Sequence, residues 1–166
     1  MSAAGVTPTV KVLYVEDYVS VSVAEAKMMK VKEQLQRLLP GYRVSISVGQ
    51  GPFEDSLGNR SHYDGRKPGL KEHRLILDTK KDTATSVVTL ARNALLHQPD
   101  LVVGEGQGAL IALAYSKPLQ LEMALQARNV QRDEVQSIAE SWGRVKACVA
   151  LSPTLSQSKV GVDLLR

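Results

Sequence analysis

Cysteine is nearly absent from this chain of 166 residues, because Cys148 is the only one. A single cysteine excludes an internal disulfide and any zinc site built from several thiolates. Such scarcity is typical of proteins in a reducing compartment, so we expect a cytoplasmic or otherwise intracellular protein. Cys148 itself stands in an apolar run and is predicted to be an inert core residue.

Aromatic residues and long apolar runs are also scarce. Aromatic residues make up 4% of the chain, which weighs against a base-stacking surface for nucleic acid. The net charge of +4 does not exclude nucleic acid as a partner. No apolar run approaches the ~20 residues that a membrane-spanning helix needs, so we expect no membrane partner. The first residues have neither the basic nor the apolar region of a secretory signal, so we expect none there. The expected partner is a protein or small molecule of unknown identity.

What the chain does contain is an alternation of strand and helix patterns. The β-branched run at 10–15 predicts a buried strand, and Ser22 with Glu25 predicts a capping box opening a long amphipathic helix. Asp82 and Asp133 are the expected caps of later helices. Further strands are predicted at 42–48, 75–77, 101–103 and 147–151.

This alternation predicts a three-layer α/β sandwich, Rossmann-like, with a mostly parallel sheet of about five strands. The second strand alternates polar and apolar residues, so it should lie at a sheet edge, in the order second, first, fourth, fifth. No position is assigned to the short third strand. We expect a single domain at 9–152 with a long loop at 49–73, a flexible N-terminus at 1–8 and a C-terminal tail at 153–166.

A glycine-rich turn follows the fourth of these strands directly. Ligands of open α/β sheets bind outside the carboxyl ends of the strands, so a site is expected at this turn and at the neighbouring end of the first strand. The candidate ligand-binding residues are Glu16, Asp17, Tyr18, Gly104, Glu105, Gly106, Gln107 and Gly108.

The turn Gly104-Glu105-Gly106-Gln107-Gly108, between Val-Val and Ala-Leu-Ile-Ala, resembles the nucleophile elbow of the α/β-hydrolases. It resembles in particular the small single-domain serine hydrolases, whose elbow reads Gly-Phe-Ser-Gln-Gly. The order of elements and the terminal Val-Ala-Leu-Ser-Pro also follow roughly the first two-thirds of that fold, so the resemblance implies a truncated α/β-hydrolase-like topology. The stretch is also similar to segments inside retrotransposon-like polyproteins, which would make the domain a non-catalytic fragment.

The departures from the hydrolase pattern concern its reactive groups. Gly106 stands where the resemblance places the serine nucleophile, and glycine has no side chain to attack a carbonyl. Glu16-Asp17 replaces the His-Gly that follows the first strand in that family and helps to form the oxyanion hole. The family's acid and histidine lie on later strands, whereas all three histidines here precede the turn. We therefore expect no catalytic residue and a non-catalytic binding or structural module, a degenerate serine hydrolase.

The leading alternative is a small-molecule or nucleotide-binding enzyme. Gly104-x-Gly106-x-x-Ala109 matches the dinucleotide fingerprint, but the acidic residue expected ~20 positions later would be Glu122, inside a predicted helix. Glu105 would also repel phosphate.

Carboxylates favour Mg²⁺, so Glu16, Asp17 and Glu105 form a candidate site for that ion. The plainer interpretation, which we favour, is a turn that needs glycine for backbone reasons beside solvated acids. No cofactor and no metal ligand is therefore predicted.

The histidines carry little signal. His62 and His73 lie in the polar loop and are predicted to be solvated, since spacing supplies no third metal ligand. His97 is expected to end a helix, where a cation suits the helix dipole.

Overall fold

The computed structural model describes residues 6–17, 20–63 and 72–151, with the backbone alone in 72–79. The strands along these residues are β1 Thr9–Val15, β2 Arg43–Gly49, β3 Phe53–Glu54, β4 Arg60–Ser61, β5 Leu101–Glu105 and β6 Ala147–Leu151. The helices are α1 Val21–Leu38, α2 Glu72–His97, α3 Gln107–Ser116, α4 Pro118–Ala127 and α5 Arg132–Trp142. Tyr18 and the predicted tail at 153–166 lie outside the described residues.

Four strands form one parallel sheet in the order β2, β1, β5, β6, which confirms the predicted order. The register places Val15 between Gly49 of β2 and Gly104 of β5, and Gly104 lies beside Ala150 of β6. The carboxyl ends of the four strands therefore lie side by side, and the residues that follow them share one edge of the sheet. β3 and β4 form a separate antiparallel hairpin inside the predicted loop.

The sheet is the middle layer of a three-layer α/β sandwich, as predicted. Val12 and Tyr14 of β1 are buried on one face beneath α1. Leu13 and Val15 are buried on the other face, where they join the core formed with α2, α3, α4 and α5. Fully burying one such side chain stabilises a fold by about 1.5–3 kcal/mol, so the double-sided burial of β1 accounts for its apolar sequence.

The predicted third strand at 75–77 is wrong, because these residues lie in the first part of α2. A run of only three apolar residues does not distinguish a strand from a helix by its period. Tertiary pairing decides here, since β1 already has β2 and β5 as neighbours and leaves no interior position for another strand. Asp82 consequently lies within α2 instead of capping it. Among the described residues the sheet has four strands, where about five were predicted.

Two other predicted helix starts are also wrong. α1 begins at Val21 with Ser20 at its N-cap, and Ser22 does not cap it. α5 begins at Arg132 after Gln131, which places Asp133 in the first turn, where its negative charge suits the helix dipole. Short polar side chains are common near helix starts, so their presence fixes a boundary only to within a few residues.

Two helix boundaries have a clear local cause, and that at His97 was predicted. Pro118 begins α4, where its missing N–H costs no helical hydrogen bond. His97 is the last residue of α2. Within the described ranges, no helix combines the length and apolar content needed to cross a membrane.

Candidate functional site

The turn between β5 and α3 has a backbone conformation that favours glycine. Gly106 has φ of 56° and ψ of −119°, a region where a side chain is strained. A Cβ at Gly104 would overlap the backbone of Gly108 and Ala109, and one at Gly108 would overlap the carbonyl groups at the end of β1. The backbone conformation of Gly106 and the close backbone approaches at Gly104 and Gly108 agree with the prediction of a turn that needs glycine for backbone reasons. The other part of that interpretation, solvated acids beside the turn, is wrong for Glu16, which is 0% exposed.

The carboxylate of Asp17 occupies the space above Gly106. A Cβ built on Gly106 would overlap the Asp17 carboxyl group. Asp17 Oδ1 accepts a hydrogen bond of 2.9 Å from the backbone N–H of Gln107, the first residue of α3. A helix N-terminus stabilises negative charge, so the chain supplies its own anion at this point.

Glu105 lies on the α1 side of the sheet and has two partners of its own. The Tyr14 hydroxyl donates to Glu105 Oε2 at 2.5 Å, and Lys27 Nζ of α1 lies 3.1 Å from Glu105 Oε1. Burial and the hydrogen bond to Glu105 raise the pKa of Tyr14 well above its usual range. We call Tyr14, Lys27 and Glu105 the Glu105 group.

Glu16 is the least satisfied carboxylate of the site. Its side chain is 0% exposed, and Oε1 accepts one long hydrogen bond of 3.4 Å from the backbone N–H of Gly51. Its other oxygen, Oε2, has no hydrogen-bond partner among the described residues. Burial raises the pKa of Glu16 from 4.5 to about 7, although the Gly51 bond and the charge of Arg60 act in the opposite direction.

His62 is buried beside Glu16, so its prediction as a solvated loop residue is wrong. The residue is 2% exposed, and ring atom Nε2 lies 3.0 Å from the carbonyl oxygen of Glu16. Ring atom Nδ1 has no partner among the described residues. Burial lowers the pKa of His62 from 6.5 to about 4, despite opposing effects of the Glu16 carbonyl and the charge of Asp17. The imidazole is therefore neutral at pH 7.

The backbone of His62 fixes the β3–β4 hairpin over the strand ends. Its N–H donates to Gln107 Oε1 at 3.2 Å, and its carbonyl oxygen accepts from Ser86 Oγ of α2 at 2.6 Å. Ser86 thus bonds to the backbone of His62 and not to its imidazole, so this pair lacks the serine–histidine contact of a hydrolase. We call Glu16, Gly51 and His62 the Glu16 group.

The predicted acidic residues do come to one edge of the sheet, but each has separate partners. Glu16 faces Gly51, Asp17 accepts from Gln107, and Glu105 binds Tyr14 and Lys27. Nowhere in 6–17, 20–63 or 80–151, where side chains are described, do three His, Cys, Asp or Glu side chains form a group that could hold a metal ion.

Several site residues had no distinguishing signal in the sequence. Lys27 and Ser86 are ordinary residues of amphipathic helices, and His62 stands alone in a polar loop. Only the packing of α1, α2 and the hairpin onto the sheet brings them to the turn.

Cys148 lies outside this site, on the face of β6 that packs against α2–α5. Burial raises the pKa of its thiol to about 11, so the thiolate is scarce at neutral pH.

An apolar groove lies away from the glycine turn, between α4 and α5. Its volume is about 620 Å³, and Leu121, Leu125, Val135 and Trp142 line its apolar part. Trp142 Nε1 donates to the carbonyl oxygen of Tyr115 at 2.8 Å, which holds the indole in place.

No family model and no curated protein matches the sequence. A similar solved structure is the glycosyltransferase SnogD from Streptomyces nogalater, with a TM-score of 0.36 and 18% identity over 87% of this chain. The chain spans 44% of the length of that protein. A similarity of this level carries no argument about function.

Proposed function

We propose that the chain is a non-catalytic, α/β-hydrolase-like binding or structural module. The single observation that supports this is the Asp17 carboxylate over Gly106. It takes the space that a nucleophile side chain at position 106 would need, and it accepts the Gln107 N–H. In an elbow hydrolase, the N–H of the residue after the nucleophile helps to hold the oxyanion.

Electrostatics argue in the same direction. Acyl transfer develops negative charge on an oxygen, and efficient sites place hydrogen-bond donors or positive potential beside it. A carboxylate ~4 Å from that oxygen would raise the barrier by roughly 4 kcal/mol at an effective dielectric constant of 20, which is about a thousandfold in rate. The charge at this site therefore opposes acyl transfer, the reaction of the hydrolases whose elbow the turn resembles.

Hydrolysis of p-nitrophenyl acetate tests the proposal. We expect the rate with the wild-type protein to equal that of buffer, and Asp17→Ala, Glu105→Ala and Gln107→Ala to leave it unchanged. Asp133→Ala, in the first turn of α5, is the matched control for loss of a carboxylate. Turnover by the wild-type protein that disappears in the Gln107 or Glu105 variant, but not in the Asp133 variant, would overturn the proposal.

A double-mutant cycle tests the position of Asp17 itself. Gly106→Ser should lower the free energy of unfolding by about 3 kcal/mol or more, because it adds a strained backbone to a clash with Asp17. Asp17→Gly should recover the part of this loss that comes from the clash. If the Asp17→Gly background recovers nothing, the carboxylate does not occupy that space.

A further inference from the structure

The β3–β4 hairpin is held together by its own hydrogen bonds. Asp55 Oδ1 accepts from the backbone N–H groups of Leu57 and Asn59 at 2.8 and 2.9 Å, and Asn59 Nδ2 donates to Asp55 Oδ2 at 2.9 Å. Across the two strands, Arg60 Nη2 lies 2.9 Å from Glu54 Oε2. These contacts join hairpin residues to one another, so they persist if the hairpin moves away from the sheet as a unit.

The hairpin is not part of either apolar core. The buried residues of both cores lie in the sheet and in α2–α5, and none of them lies in 51–62. A segment opens at low cost when it breaks few apolar contacts, whereas opening the core costs the full free energy of unfolding. The hairpin can therefore leave the sheet far more easily than the whole domain can unfold.

The base of the hairpin is tied to the layers beneath it by Gly51, just before β3, and by His62, directly after β4. Gly51 donates its N–H to the Glu16 side chain, and the His62 ring contacts the Glu16 carbonyl oxygen. His62 also bonds to Ser86 of α2 and Gln107 of α3, whose side chains are uncharged. Both ionisable groups at this base, the Glu16 carboxyl and the His62 imidazole, are shut off from water.

The closed base has no partner for a charge on either group. A carbonyl oxygen only accepts, so His62 Nε2 carries the hydrogen in its contact with Glu16, and Nδ1 is an unprotonated lone pair. A second proton would form an N–H at Nδ1, for which the described residues provide no acceptor. A charged Glu16 would likewise leave Oε2 without a donor among them. A buried charge without partners is far more costly than a neutral group, so the closed hairpin fits only the uncharged pair.

The charged groups that act on this pair come from the hairpin and from the end of β1. Arg60 of the hairpin favours the charged carboxylate of Glu16, and Asp17 favours the protonated imidazole of His62. Burial outweighs both, so it raises the pKa of Glu16 and lowers the pKa of His62. Tyr14 of β1 also faces Glu16, but its own raised pKa keeps it neutral.

We propose that the β3–β4 hairpin is a flap over the carboxyl edge of the sheet, which closes only over uncharged Glu16 and His62 and opens while the rest of the fold stays intact. On closing, the Glu16 carboxylate takes up a proton from water and the His62 imidazolium releases one to water. The two exchanges balance between pH 4.5 and 6.5, where both groups are charged in the open state. The inference goes beyond the proposed function and is independent of it, since the flap controls access to this edge whatever binds there.

Amide hydrogen exchange of the full-length chain tests whether the hairpin opens separately. After correction for the intrinsic rates, the N–H groups of Gly51 and His62 should exchange at least about tenfold faster than that of Val103, which is buried in β5. Low concentrations of urea should accelerate exchange of Val103 much more than that of the hairpin, because local opening exposes little surface. Equal rates and an equal response to urea would show that the hairpin opens only with the whole fold, and would overturn the proposal.

Single variants test the dependence on charge. In Glu16→Gln only His62 titrates, so opening of the hairpin should decrease as pH rises from 4.5 to 6.5. In His62→Gln only Glu16 titrates, so opening should increase over the same range. Each change should approach about tenfold per pH unit, and the wild-type protein should change little. Opening that varies in the same direction in both variants would sink the proposal.

Thiol labelling at pH 8 gives an independent readout. In a Cys148→Ala background, Ser61→Cys of the hairpin and Ser141→Cys of α5 are matched, because the two serines are 6% and 5% exposed. The thiol at position 61 should react at least about tenfold faster than that at position 141. Adding Glu16→Gln should slow labelling at position 61 at least about tenfold, since a neutral side chain no longer favours opening. No difference between the two positions, or no effect of Glu16→Gln, would contradict the flap.

Discussion

The Glu105 group and the Glu16 group each contain a glutamate at the same edge of the sheet, but the two carboxylates have opposite effects on stability. Glu105 is 28% exposed on its side chain and binds both a tyrosine hydroxyl and a lysine. Glu16 is fully buried with one long hydrogen bond, and its neighbour His62 has an unpartnered ring nitrogen. A satisfied carboxylate stabilises a fold, whereas a buried and poorly partnered one costs free energy once it is charged. The two residues are of the same type, so it is their position relative to the packed hairpin that decides which carboxylate is satisfied and which is buried with few partners.

The largest expected effect is that of Glu16→Gln. A folded-state pKa of about 7 against 4.5 for the unfolded chain means that Glu16 destabilises the fold by about 3 kcal/mol once it is ionised. The stability difference between Glu16→Gln and wild type should therefore rise by about 3 kcal/mol in favour of the variant from pH 4.5 to pH 8. Urea denaturation at both pH values measures it.

Glu105→Gln is the control, because it removes a partnered carboxylate and should lower stability at pH 8. The comparison between the two groups fails if both glutamine variants change stability in the same direction at that pH.

The next largest effect is expected in the dependence of stability on pH. The raised pKa of Glu16 gives stability that is lost as pH rises from 4.5 to about 7. The lowered pKa of His62 gives stability that is lost as pH falls from 6.5 to about 4. Between pH 4.5 and 6.5 the two trends oppose one another, so together Glu16 and His62 should leave the stability of the wild-type protein nearly independent of pH.

When one residue of the pair is replaced, only the other still titrates, so the stability of each variant should change with pH in a single direction. Stability of Glu16→Gln should rise with pH between 4 and 6.5, and that of His62→Gln should fall between 4.5 and 7, by at most ~1.4 kcal/mol per pH unit. Asp17 and Arg60 also face this pair and shift the midpoints. Parallel slopes in the two variants would contradict the assignment.

A smaller effect is expected on the Glu105 side. Tyr14→Phe should cost about 1 kcal/mol, since Glu105 keeps Lys27 and gains water. Lys27→Met should cost less, about 0.2–1 kcal/mol, because the pair is partly exposed. Thermal or urea unfolding measures both. If Tyr14 and Lys27 stabilise the fold through Glu105, the two substitutions should cost less in a Glu105→Gln background. Unchanged costs in that background would refute a role through Glu105.

The smallest expected effect is that of Mg²⁺. The three acidic residues have separate partners, so we expect no change in melting temperature when the ion is added. Under the alternative of a Mg²⁺-dependent enzyme, saturation to ~100 times Kd would add about 2.7 kcal/mol. A shift of that size, absent with equal ionic strength of NaCl and lost in Asp17→Ala, would favour the alternative.

Much of the fold could be predicted because it depends on local patterns. The apolar run of β1 and the polar alternation of β2 indicated an interior and an edge strand, and the sheet has them in those positions. The failure at 75–77 has a plain cause: three residues are too few to define a period, and the sheet had no interior place for them.

The candidate site was predictable only in part. Glycine at 104, 106 and 108 indicated a close backbone turn, and the structure has this turn between β5 and α3. The partners of Glu16 and Glu105 come from elements at distant positions in the chain, which no spacing rule connects.

Local sequence patterns were enough to predict the alternation of elements, the interior and edge strands of the sheet and the glycine turn, because propensity and apolar period act over a few residues. Three features depend on packing between elements that are distant in the chain: Asp17 lies over Gly106, His62 is buried against Glu16, and β6 has no further strand beside it within the described residues. Those outcomes depend on which surfaces meet after the layers pack, and side-chain burial and hydrogen bonding are fixed only at that stage.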